Sequence, residues 1–138
     1  MIFHIAVCSP DAGLRSGLER QCMEFFARRA DACIVEQVPN EAALLRRDEA
    51  GMRYDLYLLE LSGSASPAGL AAAQELRRRG RRAPLAFVAR TPAHAYSAYR
   101  VDAMQYLLLP VRQRELSARL ARATEPEYGP AVVVNTAE

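Results

Sequence analysis

The chain has no lysine: all 18 of its basic side chains are arginine. That absence excludes Schiff-base chemistry, a phosphate-loop lysine and any other mechanism built on an ammonium group; a GC-rich coding sequence accounts for the bias. Long apolar runs are missing too, none approaching the roughly 20 residues that span a bilayer. Met1 to Val7 has the length of a strand and carries no basic leader or cleavage site. A formal charge of +2 is too small to direct the chain to nucleic acid or to a membrane. Cysteine is scarce and odd in number: Cys8, Cys22 and Cys33 lie in apolar periodic segments, no two spaced as metal ligands, and read as buried hydrophobes in a reducing compartment. His4 and His94 have no nucleophile or ligand partner nearby in sequence. Repeats and low-complexity tracts are absent. These lacks together lead to the expectation of a soluble cytoplasmic protein that does not engage a membrane.

What is present is about half apolar residues in 138 positions, enough for one core. Strand and helix patterns alternate at short intervals. Phe3 to Cys8 reads as a strand; Pro10 to about Arg28 as a helix with Leu14, Leu18, Cys22, Phe25 and Phe26 on one face, Ser9 as its N-cap and Pro10 at its first position. Ala32 to Val38 gives a second strand, and Asn40 caps a helix that Gly51 ends. Tyr54 to Leu61 is the third strand, followed by a Ser/Gly/Ala loop and a helix to about Arg79 that buries Leu70, Ala73 and Leu76. Pro84 to Val88, a short helix from Pro92 to Arg100, Met104 to Leu108 and a helix from Val111 to Ala123 complete the pattern. Such βα alternation predicts an α/β, flavodoxin-like (βα)₅ fold: a doubly wound parallel five-stranded sheet. Residues 1–124 form that domain. Beyond Thr124 the pattern changes to a linker-like Glu125 to Pro130 and a lone strand signal, Ala131 to Asn135. That tail reads as the start of a further domain; an edge or swapped strand is the other reading.

The chemically distinctive residue is Glu60, a carboxylate at the carbonyl end of the third strand, where open α/β sheets place their chemistry. An unpaired charge at the rim of a core is costly, so Glu60 needs a reason. The topology brings Ser9, Pro10 and Asp11 beside it, with Ala89-Arg90-Thr91 on one side and Leu109-Pro110 on the other.

The segment Ala95 to Val111, AYSAYRVDAMQYLLLPV, resembles the fourth-helix to fifth-strand region of bacterial response-regulator receiver domains (CheY-like) of the LytR/AlgR branch, and Phe3 to Cys8 resembles their first strand. The resemblance spans about residues 1–124, and residues 125–138 resemble a linker and the opening strand of that branch's LytTR DNA-binding domain. It implies a phosphoacceptor aspartate on the third strand, an acidic pair holding Mg²⁺, a Ser or Thr ending the fourth strand and a lysine before the proline of the fifth. Here those positions carry Glu60, Ser9 and Pro10, Ala89 and Leu109. The Met-Pro usual after the acceptor is missing, and Ser62 to Pro67 carries an extra residue. Tyr106 matches the family's switch aromatic.

Mg²⁺ wants hard oxygen ligands in octahedral geometry, which proline cannot supply and serine supplies only as a neutral oxygen. Without metal or lysine, a transferring phosphoryl group lacks its electrostatic partners. Glutamate's extra methylene also displaces the acceptor oxygen, an error that catalysis tolerates poorly. The expectation is therefore a non-enzymatic, non-phosphorylated receiver that has lost Mg²⁺ and serves signal input and dimerisation for a transcriptional regulator. The alternatives are a working phosphoacceptor at Glu60, Ser9 or Ser62, and a stand-alone interaction module. Glu60 either mimics a phosphoaspartate or pairs with Arg90 or a loop amide, and Leu109 is expected to make its pocket more apolar. Asp11 either replaces a metal ligand or complements the helix dipole. Arg77 to Arg82 reads as a phosphate contact or a solvated helix end, the latter preferred. With Ala89 offering no hydroxyl, Tyr106 is expected to be set by packing or a partner. The fourth helix, fifth strand and fifth helix are expected to form a homodimer face through Tyr96, Tyr99, Arg100, Arg112, Arg119 and Arg122, with Asp102 and Glu115 as their counter-charges. A sensor kinase or another signalling protein is the expected input partner, and DNA is reached only through a C-terminal domain.

Overall fold

Parallel strands buried on both faces should be apolar at every position, and the two most apolar runs of this chain take that place. The computed structural model describes residues 2–62 and 68–124. Strands β1 (Ile2–Cys8), β2 (Ala32–Val38), β3 (Leu56–Leu61), β4 (Leu85–Ala89) and β5 (Gln105–Leu108) alternate with helices α1 (Ala12–Ala27), α2 (Glu41–Glu49), α3 (Ala68–Arg78), α4 (Ala95–Arg100) and α5 (Gln113–Ala123). All strand pairs are parallel, in the order β2-β1-β3-β4-β5. The doubly wound fold expected from the sequence is the one observed. β3 and β4 are buried throughout, whereas β2, at the edge, is half-exposed along most of its length.

Alternation along β3 splits the core in two. Tyr57, Leu59 and Leu61 pack with Leu44 of α2, Leu70 and Leu76 of α3 and Ala98 of α4, while Leu56 and Leu58 pack with Leu18 and Phe26 of α1 and Leu116 of α5. Glu60 shares the parity of Leu56 and Leu58, so it leaves the sheet on the α1 side, where the β1–α1 loop lies.

Helix ends depart from expectation in two places. α1 starts at Ala12 rather than Pro10, and its N-cap is Asp11, whose Oδ1 accepts from the amides of Gly13 (2.9 Å) and Leu14 (3.2 Å). A carboxylate satisfies two free amides and complements the dipole as well, so it displaces the hydroxyl of Ser9 from that role. The segment expected as one helix from Pro92 is a single 3-10 turn, Pro92–His94, capped by Thr91, and then α4. α2 and α3 end as expected of glycine, with Gly51 (φ 100°) and Gly80 (φ 88°) in left-handed conformation.

The arginine run is a solvated helix end only at Arg78 and Arg82, which are exposed; Arg77, Arg79 and Arg81 are tied into the structure. Asp48 on α2 is buried and receives Arg81 Nε at 2.6 Å, Arg79 at 3.0 Å and Arg53 at 3.4 Å. Glu75 engages Arg78 and Arg79, and Arg77 donates to the carbonyls of Arg81, Ala83, Val101 and Asp102. Burial pushes the Asp48 carboxyl up, but the hydrogen bonds of Arg81 and Arg79 and the charges of Arg81 and Arg53 outweigh it and hold it below its ordinary value.

Gly69, in the first turn of α3, lies where a Cβ would come within 2.8 Å of Leu61 Cδ2 and 2.9 Å of the Glu60 carbonyl oxygen. The carbonyl belongs to a buried strand and cannot yield. Gly69→Ala is expected to destabilise the fold by about 1–3 kcal/mol through overpacking, measured as a fall in the urea midpoint; an unchanged midpoint would refute the close approach.

Candidate functional site

The site gathers at the carbonyl ends of β1, β3 and β4. Ser9, which follows β1, is fully buried and its backbone is pinned from both directions: its amide donates to the Val38 carbonyl at 3.1 Å, and its carbonyl accepts from Arg15 at 2.7 Å. Its hydroxyl accepts from the Asp11 amide at 2.9 Å and donates to Glu60 Oε1 at 2.5 Å. A serine hydroxyl has one proton, and the short contact to Glu60 claims it over the Asp11 carbonyl at 3.5 Å. Glu60 itself is 5% exposed, so the carboxylate expected at the rim is in fact inside it.

Other expected neighbours are elsewhere. Arg90 is exposed, and the ion pair with Glu60, one of the alternatives for that carboxylate, does not form; Ser9 is the partner instead. Pro10 is exposed and Asp11 is turned onto the α1 amides, away from Glu60. Leu109 does not line the Glu60 pocket as expected. Its backbone amide donates to the Ala89 carbonyl at 2.8 Å, its peptide bond to Pro110 is cis, and its side chain packs in the α1/α5 core layer beside Leu14 and Val111. It therefore lines a separate groove of about 400 Å³ between α1 and the β5–α5 connection, with Gly13, Leu14, Gly17 and Pro110.

The pocket over Glu60 has a volume of about 220 Å³ and is lined by Glu60, Leu61, Ser62, Ala89, Arg90, Thr91 and His94. Ala89 is buried at its floor. Tyr106 is half-buried beside it, its hydroxyl donating to the Thr91 carbonyl at 2.7 Å. Among the described residues no three His, Cys, Asp or Glu side chains gather as a metal-binding group. Residues 63–67, where an inserted residue was expected, lie outside the described residues, as does the tail from 125. The thiols offer no nucleophile at neutral pH: burial pushes Cys8 and Cys22 up to about 12 and Cys33 to about 11.

On the opposite edge of the sheet, Tyr96 and Tyr99 of α4 are 74% and 79% exposed, and Arg100, Asp102, Arg112 and Arg122 are exposed as well. Glu115 and Arg119 are half-buried, and Arg119 Nε is enclosed without a hydrogen-bond partner among the described residues. Leu108 on β5 is 45% exposed beside them. Sequence reading passed over Leu108 because an apolar residue in a strand is ordinarily taken as core; its place at the end of an edge strand, before a proline, was the available signal.

No protein-family model and no curated protein matches the chain. Solved structures do. TrrA, a response regulator of Thermotoga maritima in complex with Mg²⁺ and BeF, superposes with a TM-score of 0.71 at 19% identity, over 88% of this chain and 98% of that one. The chemotaxis response regulator CheY4 of Vibrio cholerae gives 0.73 at 13% identity, over 89% and 99%. A Burkholderia thailandensis protein assigned to pilus assembly (cpaE) gives 0.73 at 22% identity, over 88% and 97%. At these identities the likeness establishes the fold: the chain has the architecture of a CheY-like response-regulator receiver domain. No helix among the described residues is long and apolar enough to cross a membrane.

Proposed function

We propose that this chain is a receiver-type domain that passes on a signal without accepting a phosphoryl group, in a transcriptional regulator of the LytR/AlgR type. The observation that carries this reading is the buried 2.5 Å hydrogen bond from Ser9 Oγ to Glu60 Oε1. It occupies with a neutral donor the space in which a phosphoacceptor site needs a divalent cation. The donor set does not suit Mg²⁺: among the described residues Glu60 is the only carboxylate directed to the site, Pro10 has no side-chain oxygen, and the Asp11 carboxylate caps α1. With Ala89 in place of a hydroxyl and Leu109 turned to the α1/α5 core layer, the hydroxyl and the cation that would read a phosphoryl charge are missing from those two positions. Incubation with acetyl phosphate and Mg²⁺ followed by intact-mass measurement tests this: an unchanged mass is expected, and a gain of one phosphoryl group would overturn it.

Output in this reading is assembly, and DNA contact is left to a DNA-binding domain of the regulator. The α4–β5–α5 face supports it, since exposed Tyr96, Tyr99 and Leu108 form an aromatic and apolar patch flanked by Arg100 and Arg112. The expected result in sedimentation at tens of micromolar is a dimer that Tyr96→Ala combined with Tyr99→Ala converts to monomer; a monomer throughout would remove this face from the mechanism.

A further inference from the structure

Glu60 is a buried carboxyl with no cation paired to it among the described residues. It is 5% exposed, and its one hydrogen bond is to a neutral hydroxyl at Oε1. Oε2 has no donor among the described residues, no ion pair reaches the side chain, and Glu60 lines the 220 Å³ pocket. Buried charges in proteins are ordinarily paired or bound to metal, because the desolvation cost is otherwise unreturned. The volume exceeds by several times the roughly 30 Å³ that one water takes in the liquid, so the pocket has room for a group of several heavy atoms.

The same pocket also carries the other polarity. Arg90 and His94 line it with the hydroxyl-bearing Thr91 and Ser62, while Leu61 and Ala89 supply apolar wall. A buried carboxyl and an exposed guanidinium lining one pocket complement a small molecule that carries both a cation and an anion. We propose that this pocket binds a small zwitterion of the amino-acid class, its ammonium or guanidinium group on Glu60 Oε2 and its carboxylate on Arg90. The proposal rests on the reading of the chain as a non-phosphorylated receiver, and supplies that reading with an input: ligand occupancy stands in for phosphorylation. The pocket wall includes Thr91, whose carbonyl holds the Tyr106 hydroxyl, so a ligand there bears directly on the strand that leads to the α4–β5–α5 face.

The test is titration of the ¹⁵N-labelled chain with L-arginine, L-lysine, agmatine and cadaverine, followed by amide shifts at Ser9, Glu60 to Ser62 and Ala89 to His94. Saturable shifts are expected with at least one amino acid at about millimolar affinity, with the decarboxylated analogue weaker. Glu60→Gln is expected to weaken binding by about thirtyfold or more, as loss of one member of a desolvated charge pair does. Arg90→Ala, at an exposed position that leaves the core untouched, should erase the difference between each amino acid and its decarboxylated analogue. No saturable shift with any of the four compounds up to about 20 mM, more than tenfold above that affinity, overturns the proposal, as does binding indifferent to Glu60→Gln or discrimination that survives Arg90→Ala. Intact mass after acetyl phosphate treatment of the same sample separates the two ideas: phosphorylation there defeats the parent reading, whereas absent binding with an unchanged mass defeats only this one.

Discussion

Asp48→Ala is expected to lower stability by about 2–4 kcal/mol, among the larger effects available outside the apolar core. The carboxylate is 4% exposed and joins three arginines from two places in the chain, Arg53 just after α2 and Arg79 and Arg81 at the end of α3. Its removal leaves those cations facing one another over the α2–α3 seam. They retain some contact with water, at 52%, 21% and 23% side-chain exposure, and for that reason the expected loss stays below the upper end for a fully buried pair. The sign of the pH dependence follows from the lowered carboxyl. In the folded chain Asp48 releases its proton more readily than in the unfolded chain, so its contribution is complete above the ordinary carboxyl value of 3.8 and is lost as pH falls through the lower folded value. Urea midpoints measured between pH 3 and 7 should therefore fall more steeply at the acid end for the parent chain than for Asp48→Asn. Parallel curves would show that Asp48 is not charged in this network.

Where the hydrophobic pattern dictates structure, the sequence was sufficient. β2 occupies the residues expected, and Asn40 caps α2 with its side chain on the Ala43 amide. Gly51 and Gly80 close their helices, because few other residues take that backbone conformation at low cost. The position of Glu60 at the carbonyl end of β3 was equally legible, since strand topology alone brings it there. What it touches was not. In Ser9-Pro10-Asp11 two side chains compete for the same helix amides, and only three-dimensional placement decides that Asp11 takes them and frees the Ser9 hydroxyl for Glu60. The Arg90 pairing failed because the buried Ser9 hydroxyl reaches Glu60 first, while Arg90, one residue past the end of β4, is exposed. Asp48 had a signal that reading passed over. It stands four residues after Leu44, on the same helical face, and Leu44 is fully buried. A carboxylate on a buried stripe followed in the chain by a run of arginines is the pattern of a buried ion network, and the run was read without its partner.

Ser9→Ala is expected to cost about 2–4 kcal/mol, since it strips from a buried carboxylate the only hydrogen-bond donor it has among the described residues, and the acceptor from the Asp11 amide, in one substitution. The two losses act on different elements. Without the hydroxyl, Glu60 is left to water drawn in through the neighbouring pocket, and the turn that sets Asp11 at the head of α1 loses its 2.9 Å anchor. Glu60→Gln behaves differently, because an amide carbonyl still accepts from Ser9, and the change also removes a buried charge; stability is expected to alter by less than about 1 kcal/mol. The pair of variants thus separates two accounts of the site. If Ser9 and Glu60 are joined as the geometry has them, a double-mutant cycle of Ser9→Ala with Glu60→Gln should return a coupling of at least about 1 kcal/mol, because the neutral amide no longer needs the donor as the carboxylate does. Urea unfolding of the four proteins measures it. Additive effects within about 0.5 kcal/mol would mean that the carboxylate gains no more from the bond than an amide does; if Ser9→Ala by itself also cost less than that, the β1–α1 loop would be free to move aside for a metal ion, reopening the question of phosphotransfer at Glu60.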